Sequence, residues 1–143
     1  MRSALVCILV LLASSMFADV AKACSCPRHP TAERILNGSA AVFTGVAQSS
    51  VKVARARSIT AFRVIESFKG PAVGSTVHVL HRSGSSASCG VKFMVGKLYT
   101  LAAHHTDTEP HLSASLCSTW MFTPRVGLGP GLIRRMREIR AKP

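Results

Sequence analysis

Ile59-Thr60-Ala61-Phe62-Arg63-Val64-Ile65-Glu66-Ser67-Phe68 decides the fold class. The run is rich in β-branched and aromatic side chains, and Lys69-Gly70-Pro71 stops it, so it reads as a β-strand. Upstream, Gln48 to Arg57 is polar and basic, with Lys52, Arg55 and Arg57, and reads as a hairpin connection with solvated cations. Before it, Ala40 to Ala47 (Ala-Ala-Val-Phe-Thr-Gly-Val-Ala) predicts a buried strand, with Gly45 at a bulge or a close approach. Downstream, Thr76 to Arg82 alternates Val77 and Val79 with His78 and Leu80 and predicts a third strand.

Ser83-Gly84-Ser85-Ser86-Ala87-Ser88-Cys89-Gly90 then reads as a flexible loop anchored only at Cys89. In Lys97 to Ala103 the apolar run of Leu98, Tyr99, Leu101, Ala102 and Ala103 predicts a strand buried on both faces, and Leu112 to Cys117 alternates as a fifth. Between them, His104 to His111 holds histidines and acids. No two of the histidines have helical i, i+4 spacing and the length suits a hairpin turn, so a solvated loop is preferred over a metal site. Thr31 caps a short helix to about Leu36, with Ile35 and Leu36 inward and Asn37-Gly38 as a left-handed stop. After the Gly127–Gly131 break, Leu132, Ile133, Met136 and Ile139 form one apolar stripe on a helix over Leu132–Arg140, surrounded by Arg134, Arg135, Arg137 and Arg140. Packing on the strands is the preferred reading of that helix, and a cationic helix lying on an anionic surface is the alternative. Five short strands, two small helices and no βαβ alternation predict a small all-β barrel, closed or nearly closed and antiparallel.

The N-terminal end predicts export. Residues 3–18 are apolar and small, Arg2 precedes them, and Ala21-x-Ala23 suits a signal peptidase, giving a signal peptide over 1–23 and one domain over 24–143. The apolar run is short for a membrane span, for which about 18 residues are needed. Lipidation of Cys24 is the rival, but the bulky, charged Lys22 is unlike the small residue that lipidation prefers at that position. Of 18 Lys+Arg and 6 Asp+Glu, the signal takes Arg2, Lys22 and Asp19, leaving a mature charge of +11. Such a balance favours anionic partners, and export turns the choice from nucleic acid toward envelope polymers or acidic proteins. Cys7 leaves with the signal, so Cys24, Cys26, Cys89 and Cys117 remain, an even set for an oxidising compartment. Two disulfides are expected in any of three pairings, and the paired Cys-x-x-Cys knuckles of a structural zinc site are missing. Pro27-Arg28-His29-Pro30 extends the new N-terminus into a rigid ridge. No carboxylate pair, activated nucleophile, phosphate loop or metal triad occurs at usable spacing, so no catalytic residue and no cofactor is expected and the chain is read as a non-enzyme.

Cys24-Ser25-Cys26 at a cleavage site, Ser88-Cys89-Gly90, Gly96-Lys97-Leu98-Tyr99, and Leu116-Cys117-Ser118 with Trp120 beyond together resemble the inhibitory N-terminal domain of the tissue inhibitors of metalloproteinases. These belong to the netrin-like modules, which share an OB-fold barrel. The resemblance spans Cys24 to about Trp120. It implies a five-stranded antiparallel OB-fold barrel, disulfides Cys24–Cys89 and Cys26–Cys117, and a secreted inhibitor of zinc metalloendopeptidases. In that reading the Cys24 α-amine and carbonyl chelate the protease's catalytic zinc. Ser25 enters the specificity pocket, Cys26 and Pro27 lie in the cleft, and Ser86, Ala87, Ser88 and Cys89 flank them. An α-amine with a pKa near ~8 loses its proton readily to a metal. The competing reading is a non-catalytic module for anionic envelope polymers or proteins.

Overall fold

The computed structural model describes residues 26, 31–84, 89–107, 111–121 and 130–142. Strands β1 (Ala41–Ala54) and β2 (Arg57–Lys69) form an antiparallel ladder from Val42↔Lys69 to Ala54↔Arg57. Only Arg55 and Ala56 turn between them. The expected 48–57 connection is therefore mostly strand. A ladder satisfies backbone groups whatever the side chains, and where both faces meet water polar residues serve as well as apolar ones. Residues 48–54 are all exposed. Gly45 sits at a register shift, and a Cβ there would lie 3.0 Å from the Arg63 carbonyl oxygen and 3.3 Å from the Phe43 and Phe62 side chains. It is both the bulge and the close approach.

Strand β3 (Thr76–Arg82) pairs antiparallel with β2, and β4 (Leu98–His105) pairs antiparallel with β1. A short β5 (Leu112–Ala114) closes the gap between β3 and β4. The ring runs β1-β2-β3-β5-β4 and returns to β1, a closed five-stranded barrel of OB-like type. The β3–β5 seam is parallel and the other four are antiparallel. An odd number of strands in a closed ring cannot alternate throughout, so one seam has to be parallel. His104 and His105 belong to β4 rather than to the following loop. The fifth strand stops at Ala114, three residues before the expected end. There Ser118 Oγ accepts from Ser115 N–H at 2.7 Å, and Leu116–Ser118 makes one 3₁₀ turn. A sixth strand the pattern did not predict, β6 (Thr119–Met121), adds to β4 opposite Tyr99–Leu101.

Phe43, Phe62, Val64, Val79, Tyr99 and Leu101 fill the barrel. Val91 and Phe93, from the irregular segment before β4, complete this core. Phe93 packs edge-to-face on Phe62 at 4.9 Å and on Tyr99 at 5.0 Å between ring centroids. Tyr99 Oη accepts from Met94 N–H at 2.8 Å, so the ring is tied to the segment it supports.

Two helices cover the outside of the barrel. Thr31 caps α1 (Ala32–Gly38), accepting from Arg34 N–H at 3.2 Å. The helix runs through Gly38 and Ser39 leaves it extended, so the expected left-handed stop is absent from this end. Helix α2 (Pro130–Arg140) buries Met136 completely against Ile35, Val42, Phe68 and Ala102, with Leu132, Ile133 and Ile139 alongside. Strand β4 is thus covered on both faces, as its apolar run predicted: Leu101 faces the barrel interior and Ala102 the helices. Arg137 forks onto Glu66 at 2.7 and 2.8 Å, and Arg135 reaches Glu33 and Glu138. Helix α2 packs on the barrel, with its apolar stripe turned inward. Among the described residues no helix is long and apolar enough to cross a membrane.

Candidate functional site

Cys26, exposed, is bridged to Cys117 across a sequence separation of 91, as the resemblance implied. Cys117 lies in the 3₁₀ turn between β5 and β6, so the bridge ties Cys26 to the last part of the sheet. Cys89 is disulfide-bonded as well. Its expected partner Cys24 lies outside the described residues, as do the signal segment 1–23 and Ser25, Pro27, Ser86, Ala87 and Ser88. Cys89 holds a left-handed backbone at φ 58°, a conformation that costs a non-glycine residue on the order of 1 kcal/mol. Gly90 beside it packs so closely on Gly84 that a Cβ would come within 2.5 Å of the Gly84 nitrogen. The chain before and after the 85–88 segment is thus drawn together at the two glycines.

Residues 90–93, the crossover that leads from here toward β4, border a cleft of about 430 Å³ beside the β1–β2 hairpin. Its walls hold Ser50 and Lys52 from β1, Arg55 from the turn, Ser58 from β2, His81 from β3 and Lys92 from the crossover. The register explains the first wall: Ser50 pairs with Thr60 and Lys52 with Ser58, so alternation sets these four side chains on one face. Val91 and Phe93 line the cleft too, both belonging to the barrel core. At its base Thr60 Oγ1 lies 2.9 Å from Ser50 Oγ and 2.9 Å from His81 Nε2. His81 Nδ1 faces the carbonyl oxygen of Val91 at 3.1 Å. Thr60 gives its hydroxyl proton to Ser50 Oγ, and an Nδ1 proton on the ring donates to the Val91 carbonyl. Burial pushes the His81 pKa down, and the backbone contacts at Arg82 and Val91 partly restore it.

Charge is segregated over the molecule. Glu33, Glu66 and Glu138 all pair with arginines of α2. Hydrogen bonding from Arg137 holds the Glu66 carboxyl below the usual range despite the opposing cost of burial. Among the described residues none of Lys52, Arg55, Arg57, Arg82 and Lys92 has an ion-pair partner, and Arg57 and Arg82 stand opposite each other across the β2–β3 ladder. Asp107 lines a second cleft, which shares His81 with the first, alongside Arg57 and Arg82. His111, from the expected loop, stacks edge-on against His78 at 6.1 Å. Among the described residues no three histidine, cysteine or acidic side chains converge as a metal site.

Sequence reasoning treated Lys52, Arg55 and Arg57 as solvated cations of a hairpin connection and did not single out Lys92 or His81. The signal was present in the period-2 spacing of Ser50, Lys52, Ser58 and Thr60. It becomes readable only once the hairpin register is known. No family model and no curated protein matches this chain.

Proposed function

We propose that the protein is an exported inhibitor of zinc metalloendopeptidases. The observation that carries the reading is the Cys26–Cys117 bridge, which fastens an exposed N-terminal residue to an OB-like barrel. A segment fixed in this way loses little conformational entropy when it enters a protease cleft. The catalytic zinc of such a protease keeps one coordination position for water. The Cys24 amine and carbonyl take that position as a chelate and displace the nucleophile. Ser25 occupies the specificity pocket, Cys26 and Pro27 follow along the cleft, and Ser86, Ala87, Ser88 and Cys89 flank them.

The test compares secreted protein beginning at Cys24 with a form carrying one extra alanine before it, against a panel of zinc endopeptidases. Intact mass confirms both N-termini first. Inhibition by the Cys24 form and none by the extended form is the expected result. Equal inhibition by both, or by neither, rejects the chelate.

A second reading is favoured by the segregated charge: the barrel holds an anionic partner. The arginines of α2 that pair with Glu33, Glu66 and Glu138 do not supply that surface. The unpaired cations of the β1–β2 hairpin and the crossover do.

A further inference from the structure

We propose that the cleft between the β1–β2 hairpin and the 90–93 segment binds a sulfate- or phosphate-ester group carried on a polysaccharide. The inference rests on the anionic-partner reading and gives it a site. It is independent of the inhibitory one.

Three features carry it. First, Lys52, Arg55 and Lys92 come from a strand, a turn and a crossover and meet at one cleft whose described lining holds no carboxylate. Like charges brought together by three separate segments repel one another, and an anion seated among them turns that cost into attraction. Second, Ser50, Ser58 and Ser83 place hydroxyls among the cations. Hydroxyls and ammonium or guanidinium donors together suit an ester oxyanion and the sugar oxygens beside it. Third, the aromatic rings lining the cleft, Phe93 and His81, are only 5 % and 4 % exposed and are spent on each other and on Phe62 and Tyr99. Proteins that hold single-stranded nucleic acid stack bases on open aromatic faces, and this lining offers none. A volume of about 430 Å³ admits a charged monosaccharide unit.

The experiment measures binding of labelled sulfated and phosphorylated oligosaccharides to the full secreted chain at about 0.15 M salt. Single-stranded DNA of matched charge serves as a competitor. Two triple variants lose the same charge: Lys52→Ala/Arg55→Ala/Lys92→Ala in the cleft, and Arg34→Ala/Arg63→Ala/Lys142→Ala away from it. Thermal melts confirm that both fold. The cleft variant should weaken binding at least about tenfold, the scale of one lost charge-assisted hydrogen bond, while the distant variant shifts it less than about threefold. The tighter of the two oligosaccharides identifies the ester. Equal weakening by the two variants rejects the cleft and leaves the anionic-partner reading standing. Absence of binding by the unaltered chain rejects both. Competition by DNA at equal or lower concentration rejects the polysaccharide assignment.

Discussion

His81 is the residue whose chemistry is most constrained by its surroundings. It is 4 % exposed, with Thr60 on one ring nitrogen and the Val91 carbonyl facing the other. Burial lowers its pKa below 6.5. The folded pKa therefore lies below the unfolded one. As pH falls through about 6.5 the unfolded chain takes up a proton that the folded chain refuses, so stability is full above that point and declines below it, down to the folded pKa. The urea midpoint of the unaltered chain should fall between about pH 7.5 and 5.5. In His81→Asn, whose amide can keep a donor and an acceptor in place, the curve should flatten across that window. An unchanged decline in the variant would assign the pH dependence to other groups.

At the scale of elements, the joint between α2 and the barrel is the most readily tested. Met136 is fully buried among side chains from α1, β1, β2 and β4. Truncating it leaves a cavity under a helix whose other contacts are the half-buried Leu132, Ile133 and Ile139 and ion pairs near the surface. Met136→Ala should cost about 2–5 kcal/mol in equilibrium unfolding. A loss below 1 kcal/mol would mean that α2 detaches or collapses without disturbing the barrel. The Leu132, Ile133, Met136 and Ile139 stripe was legible because helical periodicity is local. Its charged partners were not, since Glu33 and Glu66 stand 102 and 71 residues from Arg135 and Arg137. Strand β3 could be read because Val77 and Val79 turn inward while Thr76 and His78 face out, and only at Leu80 and His81 do burial and polarity part. The outer half of the β1–β2 hairpin could not, because residues 48–54 face water throughout and their polar and basic side chains outweigh the short Val51, Val53 alternation. β5 was overrun for a related reason: Ser113 and Ser115 continue the alternation, while the Ser115–Ser118 hydrogen bonds end the strand.

For the whole molecule, strand composition pointed to a barrel, but closure and the cysteine pairing depend on contacts across most of the chain. Four cysteines left three pairings open, and only the resemblance singled out Cys26 with Cys117. That bridge closes a loop of 91 residues in sequence separation. In the chain-entropy model a loop of this length restricts the unfolded chain by roughly 4–5 kcal/mol, against a total of about 5–15 kcal/mol for a domain. The five-stranded ring is hydrogen-bonded independently of the bridge, so Cys26→Ser/Cys117→Ser should keep its far-UV spectrum at 25 °C while losing roughly 4 kcal/mol in denaturant unfolding. The same variant separates the two functional readings. An inhibitory N-terminus needs its anchor, because a released segment must be ordered again on every encounter. A cleft built from β1, β2, β3 and the crossover does not need it. Inhibition should therefore fall by at least about tenfold while oligosaccharide affinity stays within about threefold. Inhibition that survives the double replacement would show that the ridge is not held by this bridge. Loss of both activities from a chain that still melts cooperatively would show that the cleft depends on the N-terminal anchor after all.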